Sequence, residues 1–100
     1  MSSPSNKPKV YVGGKNCDGW QDQIEKEFKQ HFNFYKTGNW TMNGIYEHCV
    51  QMVLCDIIII RYGTTKADLE ERFCKGINKK YYTGVMIEEI KTILKELVHE

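Results

Sequence analysis

The sequence lacks four features that would place it in specialised classes. Its longest strongly apolar run, residues 57–60, is far shorter than the roughly 20 residues of a membrane-spanning helix. The net charge is only +1, so a broadly basic face for nucleic acid or membrane surfaces is not expected. The four cysteines include no Cys-x-x-Cys pair, so we expect reduced thiols in an intracellular, cytoplasmic protein. The three histidines are far apart, and no metal site is predicted.

The length and composition of the sequence indicate one ordinary globular domain. The 100 residues are 41% hydrophobic, enough for one core and too few for two. The first nine residues are rich in Ser, Pro, Asn and Lys and contain no apolar run, which is not the pattern of a signal peptide. We therefore predict a flexible leader over residues 1–8 and a single domain over residues 9–100.

Residues 56–60, Asp followed by four isoleucines, decide the predicted fold class. Four consecutive β-branched residues without polar alternation indicate burial on both faces, as in the middle of a parallel sheet covered by helices. Residues 10–12, 33–35 and 80–83 are also strand-like, and apolar stripes at helical spacing lie between them. This alternation predicts a small three-layer α/β/α sandwich with a four-stranded, mostly parallel sheet.

Two helix starts are predicted from capping-box spacing. Asp18 is followed three residues later by Gln21, and Thr65 is followed three residues later by Asp68. The first of these helices would carry one apolar stripe, formed by Trp20, Ile24, Phe28 and Phe32.

The predicted binding site lies at the C-terminal ends of the strands. Open parallel sheets bind ligands there, at the point where the strand order reverses. With a strand order of 2-1-3-4, the crevice lies between the loops after the first and third strands, which contain glycines, cations and hydroxyls. We predict a phosphate or other anion site formed by Gly13, Gly14, Lys15, Asn16, Arg61, Gly63, Thr64, Thr65 and Lys66. The plainer alternative is tight turns and solvated charges.

No named catalytic or cofactor motif is complete in these loops. Neither Gly-x-Gly-x-x-Gly nor the P-loop pattern is fulfilled, so a nucleotide is a candidate ligand but no cofactor is firmly implied. Cys17 precedes the first helix, but Gln23 stands where a phosphatase-type loop would have its arginine. Glu70 and Glu71 lie in the first turns of the third helix, where a carboxylate is either a candidate nucleophile or base or part of a solvated face.

A first resemblance spans most of the chain, from Lys9 to Leu97. It is carried by Val12-Gly13-Gly14, Tyr35-Lys36-Thr37-Gly38, residues 56–60, Arg72-Phe73-Cys74-Lys75 and Lys79-Lys80. These stretches resemble a small bacterial family of uncharacterised single-domain proteins with half of a Rossmann-like or flavodoxin-like fold. That family usually has Ser-His after the third strand, where this chain has Thr65-Lys66. The resemblance implies the fold and very little mechanism.

A second resemblance is carried by the strand and loop of residues 10–14 and by Trp20-Gln21. These resemble the nucleoside deoxyribosyltransferase and nucleotide N-glycosidase group. The group has a catalytic Glu on the helix after an Asp-initiated apolar strand, which implies Glu70 as the catalytic residue and Lys79 as the end of the segment. The chain departs from the group at Arg72, where a glycine is usual, and at the substrate loop, which is Gly63-Thr64-Thr65 here.

The sequence favours a binding protein over an enzyme. We expect a small regulatory or sequestering protein that binds a nucleotide or phosphate at the ends of strands one and three. One alternative is a protein–protein interaction module, such as a phage-type inhibitor, an assembly subunit or a homodimer, because edge strands are open and aromatic residues cluster near Trp40. The other alternative is an N-glycosidase that uses Glu70.

Overall fold

Strands and helices alternate along the chain. The computed structural model describes residues 7–15, 18–37 and 42–98. The elements are β1 (Lys9–Gly14), α1 (Trp20–Phe28), β2 (Asn33–Lys36), α2 (Met42–Leu54), β3 (Ile57–Arg61), α3 (Thr65–Gly76), β4 (Tyr82–Gly84) and α4 (Ile87–Val98). Most of the predicted leader lies outside the described residues, but the Pro8 carbonyl accepts a hydrogen bond from the Asn33 N–H over 2.9 Å.

The four strands form one sheet in the order β2-β1-β3-β4. Every neighbouring pair is parallel, with Val10 opposite both Phe34 and Ile57, and Ile59 opposite Tyr82. The predicted α/β fold is thus confirmed, with a sheet that is wholly rather than mostly parallel. The central strands are β1 and β3, and the short strands β2 and β4 form the edges.

Both faces of the sheet are covered, as the isoleucine run predicted. Alternate residues of β1 and β3 point to opposite faces, because side chains alternate along a strand. On one face, α1 and α4 bury Val10, Val12, Trp20, Ile24, Phe28, Phe32, Ile59, Ile90 and Leu94. On the other, residues of α2 and α3 pack in a second cluster with Tyr11, Met52, Cys55, Ile58, Ile60, Ala67 and Cys74. Among the described helices, none has the length and apolar character needed to cross a bilayer.

Both predicted helix starts are displaced in the structure. The residue that caps α1 is Gly19, with φ 63°, and it provides no side-chain cap. Asp18 also has a positive φ, 59°, so the chain enters the helix through a left-handed turn rather than through an Asp cap. At α3 the cap is Thr64 and not Thr65, because the extended backbone of Thr64 lets its hydroxyl accept from the Ala67 N–H over 3.2 Å.

The last strand begins later than the sequence predicts. Asn78 has a φ of 57° and the Lys79 N–H still bonds to the Cys74 carbonyl over 2.9 Å. The chain is therefore leaving α3 at these residues, and β4 starts only at Tyr82. Similarly, Phe32 lies beyond the end of α1 at Phe28, although it packs in the same core cluster.

Candidate functional site

The loops after β1 and β3 lie side by side, as the strand order predicted. The Lys15 N–H donates to the Arg61 carbonyl over 2.9 Å, which joins the two loops at the C-terminal edge of the sheet. Gly14, with φ 90°, comes so close to Arg61 that a Cβ would lie 2.2 Å from its carbonyl oxygen. A glycine is required there for both reasons.

A buried carboxylate occupies this edge of the sheet. Glu70 is 2% exposed, and its carboxylate lies against the end of β1. The Tyr11 hydroxyl donates to Oε2, while Oε1 accepts from the Gly14 N–H over 2.7 Å and from the Lys66 ammonium over 3.2 Å. Three donors therefore converge on one carboxylate, which is the arrangement a buried charge needs.

Gly13 provides the space for Glu70. A Cβ built on Gly13 would lie 2.4 Å from Glu70 Oε2 and 2.6 Å from Cε1 of Tyr11. The sequence predicted close backbone approach at this glycine, with a ligand as the approaching group. In the structure, the approaching group is a side chain of the protein itself.

Lys66 connects the Glu70 carboxylate to the end of β2. Its ammonium donates to Thr37 Oγ1 over 2.9 Å and to the Gly14 carbonyl over 3.3 Å, in addition to Glu70. Thr37 Oγ1 also accepts from Gln21 Nε2 over 3.2 Å, and Gln21 donates to the Val12 carbonyl over 2.7 Å. A continuous polar network thus runs from α3 across β1 to β2 and α1.

Burial changes the acid–base behaviour of two members of this network. Burial, and secondly the charge of Glu70, raises the pKa of Tyr11 far above its usual range, so its hydroxyl remains a donor at physiological pH. Burial lowers the pKa of Lys66, and the Glu70 charge opposes that shift.

The structure brings the predicted anion-binding residues to one edge but gives several of them protein partners. Arg61 Nε donates to the Val85 carbonyl over 3.0 Å, and its guanidinium lies 5.7 Å above the centroid of the Trp20 ring. Thr64 caps α3. Lys15 is exposed, and its side chain lies beside Gly63. Thr65 is exposed at the start of α3, and Asn16 lies outside the described residues.

The second candidate carboxylate, Glu71, points to a different set of partners. It accepts hydrogen bonds from the hydroxyls of Tyr62 and Tyr81, the latter over 2.9 Å. The Tyr62 bond lowers the pKa of Glu71. This carboxylate therefore joins α3 to the segments after β3 and before β4, and it lies apart from the Glu70 network.

A buried histidine borders the same network. His48, on α2, is 4% exposed, and its ring meets Tyr11 and Tyr35 edge-on at centroid distances of 6.4 and 6.2 Å. Its Nδ1 has no hydrogen-bond partner among the described residues. Burial and the nearby Lys66 charge lower the pKa of His48, so the ring is neutral near pH 7.

An apolar cavity of about 250 Å³ lies between α2 and α3. Its walls are formed by Ile45, Cys49, Met52, Leu69, Glu70 and Phe73. Burial raises the pKa of the Cys55 and Cys74 thiols to about 11, so both are unreactive core residues. Cys17 lies outside the described residues, and within them no cluster of His, Cys, Asp and Glu forms a metal site.

Comparison with models of protein families, with curated proteins and with solved structures gives no significant match. The two family resemblances therefore remain predictions that rest on the residues quoted for them. The fold class alone does not define the activity, because it supports many unrelated functions.

Glu70, Lys66 and the glycines were named from the sequence as candidate site residues, but several residues that contact them in the structure were not. Tyr11, Gln21, Thr37 and His48 belong to the site or its border and were not predicted there. A usable signal existed for Tyr11, because a tyrosine in a buried strand needs a partner for its hydroxyl.

Proposed function

We propose that this protein binds a nucleoside or nucleotide at the C-terminal ends of β1 and β3 and cleaves its N-glycosidic bond, with Glu70 as the nucleophile. One observation carries the proposal. The two oxygens of the Glu70 carboxylate are held unequally, since Oε1 accepts two hydrogen bonds and Oε2 accepts one, from Tyr11. Oε1 is thus anchored, and Oε2 keeps the greater capacity to form a new bond.

The chemistry follows from that asymmetry. Oε2 attacks the anomeric carbon, the carbon–nitrogen bond breaks, and its electron pair leaves with the base, which takes a proton from solvent. The sugar is then an ester of Glu70. Water attacks the same carbon, loses a proton to solvent and restores the carboxylate, as in retaining glycosidases. Tyr11, whose raised pKa keeps it protonated, donates to the carboxylate oxygen as it departs.

The placement of the cations supports cleavage over simple anion capture. Lys66 uses its three protons on acceptors of the protein, and the partly buried Arg61 is engaged through Nε, so Lys15 is the exposed cation of the predicted set. A phosphate group on the ligand would meet Lys15 at the rim, and the sugar would reach the buried Glu70 carboxylate once the side chains around it move apart. Nucleotides are cytoplasmic metabolites, and the free thiols at Cys55 and Cys74 accord with that compartment.

The test is base release from a panel of nucleosides and nucleoside monophosphates, followed by chromatography. We expect release by the wild type and a loss of about 10³-fold or more in Glu70→Gln. Glu71→Gln is the matched control, because it changes the adjacent carboxylate and should retain activity. Mass spectrometry of rapidly quenched reactions should find the sugar on the peptide that contains Glu70.

Two other outcomes would be informative. No base release by the wild type across the panel would refute the proposal. Tight calorimetric binding of a nucleotide without any release would instead support the regulatory or sequestering protein expected from the sequence.

A further inference from the structure

Lys66 is a nearly buried lysine whose hydrogen-bonding capacity is fully used. Its side chain is 12% exposed, and its ammonium has three acceptors, which are Glu70 Oε1, Thr37 Oγ1 and the Gly14 carbonyl. An ammonium group has three protons to donate. No donor remains for a phosphate, so Lys66 does not serve as the anion contact that its position in the sequence suggested.

Burying a lysine is unfavourable unless its partners compensate. Lys66 and Glu70 are four residues apart on α3 and form an ion pair with a nitrogen–oxygen distance of 3.2 Å. Such pairs on exposed helix faces have little effect because water screens them. This pair is shielded from water, since Glu70 is 2% exposed, and the attraction between its charges is correspondingly stronger.

The contacts of Lys66 also connect three elements at the catalytic edge. Glu70 belongs to α3, Gly14 ends β1, and Thr37 follows β2. Because the ammonium contacts all three at once, the position of Glu70 Oε1 depends on the relative positions of these strand ends. Gly14 acts twice, since its N–H donates to Oε1 and its carbonyl accepts from Lys66.

We infer that Lys66 is a positioning residue for the reaction proposed at Glu70: it holds Oε1 in place and stabilises the charged carboxylate, so that Oε2 faces the anomeric carbon. This inference rests on the proposed function. Lys66 itself does not contact the substrate. It acts through Glu70, and its removal should therefore alter turnover more than substrate affinity.

The experiment compares Lys66→Met, Lys66→Arg and the control Lys75→Met in the full chain. Lys75 lies on the same helix and is exposed. We expect Lys66→Met to lower kcat by about 10²-fold with little change in KM. Lys66→Arg should recover at least about tenfold of the lost kcat, since it retains the charge.

A second variant and a second readout protect the test against a folding defect. Thr37→Val removes one acceptor of Lys66 and keeps the side-chain volume, so a smaller loss of kcat in the same direction is expected. Independently of activity, the ¹³Cδ chemical shift of Glu70 should differ between Lys66→Met and the wild type, because its carboxylate loses the ammonium donor. If kcat and the Glu70 ¹³Cδ chemical shift were unchanged while only thermal stability fell, Lys66 would be merely structural and the inference overturned.

The two hypotheses fail in different ways. If the wild type releases no base but the Glu70 resonance still shifts in Lys66→Met, the proposed reaction is refuted, while the action of Lys66 on the carboxylate stands. If base is released and Lys66→Met behaves like Lys75→Met, the reaction stands and the positioning role is refuted.

Discussion

Replacing Gly13 by alanine tests the close contact between β1 and the Glu70 carboxylate. The new methyl group would lie 2.4 Å from Glu70 Oε2 and 2.6 Å from Cε1 of Tyr11. Non-bonded heavy atoms need roughly 3.5 Å, so the carboxylate, the tyrosine ring or both must move by about 1 Å. Either movement weakens the bond between the Tyr11 hydroxyl and Oε2.

The expected change in the free energy of unfolding is the balance of three effects. Overpacking a tight site costs about 1–3 kcal/mol, and a hydrogen bond to a charged group contributes about 1.5–3 kcal/mol. Against these, alanine restricts the unfolded chain more than glycine does, which stabilises by about 0.4–1 kcal/mol where the backbone permits it. We expect a net loss of about 2–4 kcal/mol in the free energy of unfolding and a fall in Tm of roughly 8–32 °C.

Urea denaturation followed by far-ultraviolet circular dichroism measures this loss. Gly76→Ala is the matched control, because a Cβ at Gly76, the last residue of α3, meets nothing within 4 Å. That variant should be as stable as the wild type or up to about 1 kcal/mol more stable. If the clash is with the carboxylate, combining Gly13→Ala with Glu70→Ala should recover about 1 kcal/mol or more relative to additivity. A Gly13→Ala protein as stable as the wild type would refute the reasoning.

Two further predictions concern the neighbours of Glu70. Tyr11→Phe should lower the free energy of unfolding by about 1.5–3 kcal/mol in urea melts and reduce base release; unchanged values would show that the hydroxyl bond to Oε2 contributes nothing. His48→Leu should be as stable as the wild type at pH 7 or about 1 kcal/mol more stable, because the Nδ1 atom that it removes has no partner among the described residues. The lowered pKa of His48 means that the unfolded chain is protonated first, so wild-type stability should fall as the pH drops below 6.5, the ordinary value. His48→Leu should lack that part of the pH dependence, and an identical slope in both proteins would contradict the assignment.

The fold was predictable because its central signal is local and unambiguous. Four isoleucines in succession allow little except a strand buried on both faces, and the structure buries Ile58, Ile59 and Ile60 completely. Strand and helix ends were predicted less well. Thr64 and Thr65 are both acceptable caps by residue type, and the backbone conformation of Thr64, which depends on the turn after β3, selects between them.

The sequence predicted which loops of the candidate site lie side by side, but not the contacts between its side chains. Glu70 and Lys66 are four residues apart, and their pairing was readable from helical spacing. The Tyr11 bond to Glu70 joins residues 59 positions apart, and it depends on how α3 lies over β1. The spacing of residues in the sequence does not predict that packing. For the same reason, Gly13 was expected to allow the close approach of a ligand, whereas in the structure the Glu70 carboxylate lies against it.

The wholly parallel sheet has a consequence for how the chain folds. Its first strand becomes one of its two central strands, since β1 pairs with β2 on one side and β3 on the other. Parallel neighbours cannot be joined by a hairpin, so every strand pair here brings together residues distant in sequence, such as Val10 and Ile57. Such topologies fold more slowly than those rich in local contacts. During synthesis, β1 therefore emerges from the ribosome long before β3, and until β3 arrives it presents an apolar, unpaired edge that favours aggregation.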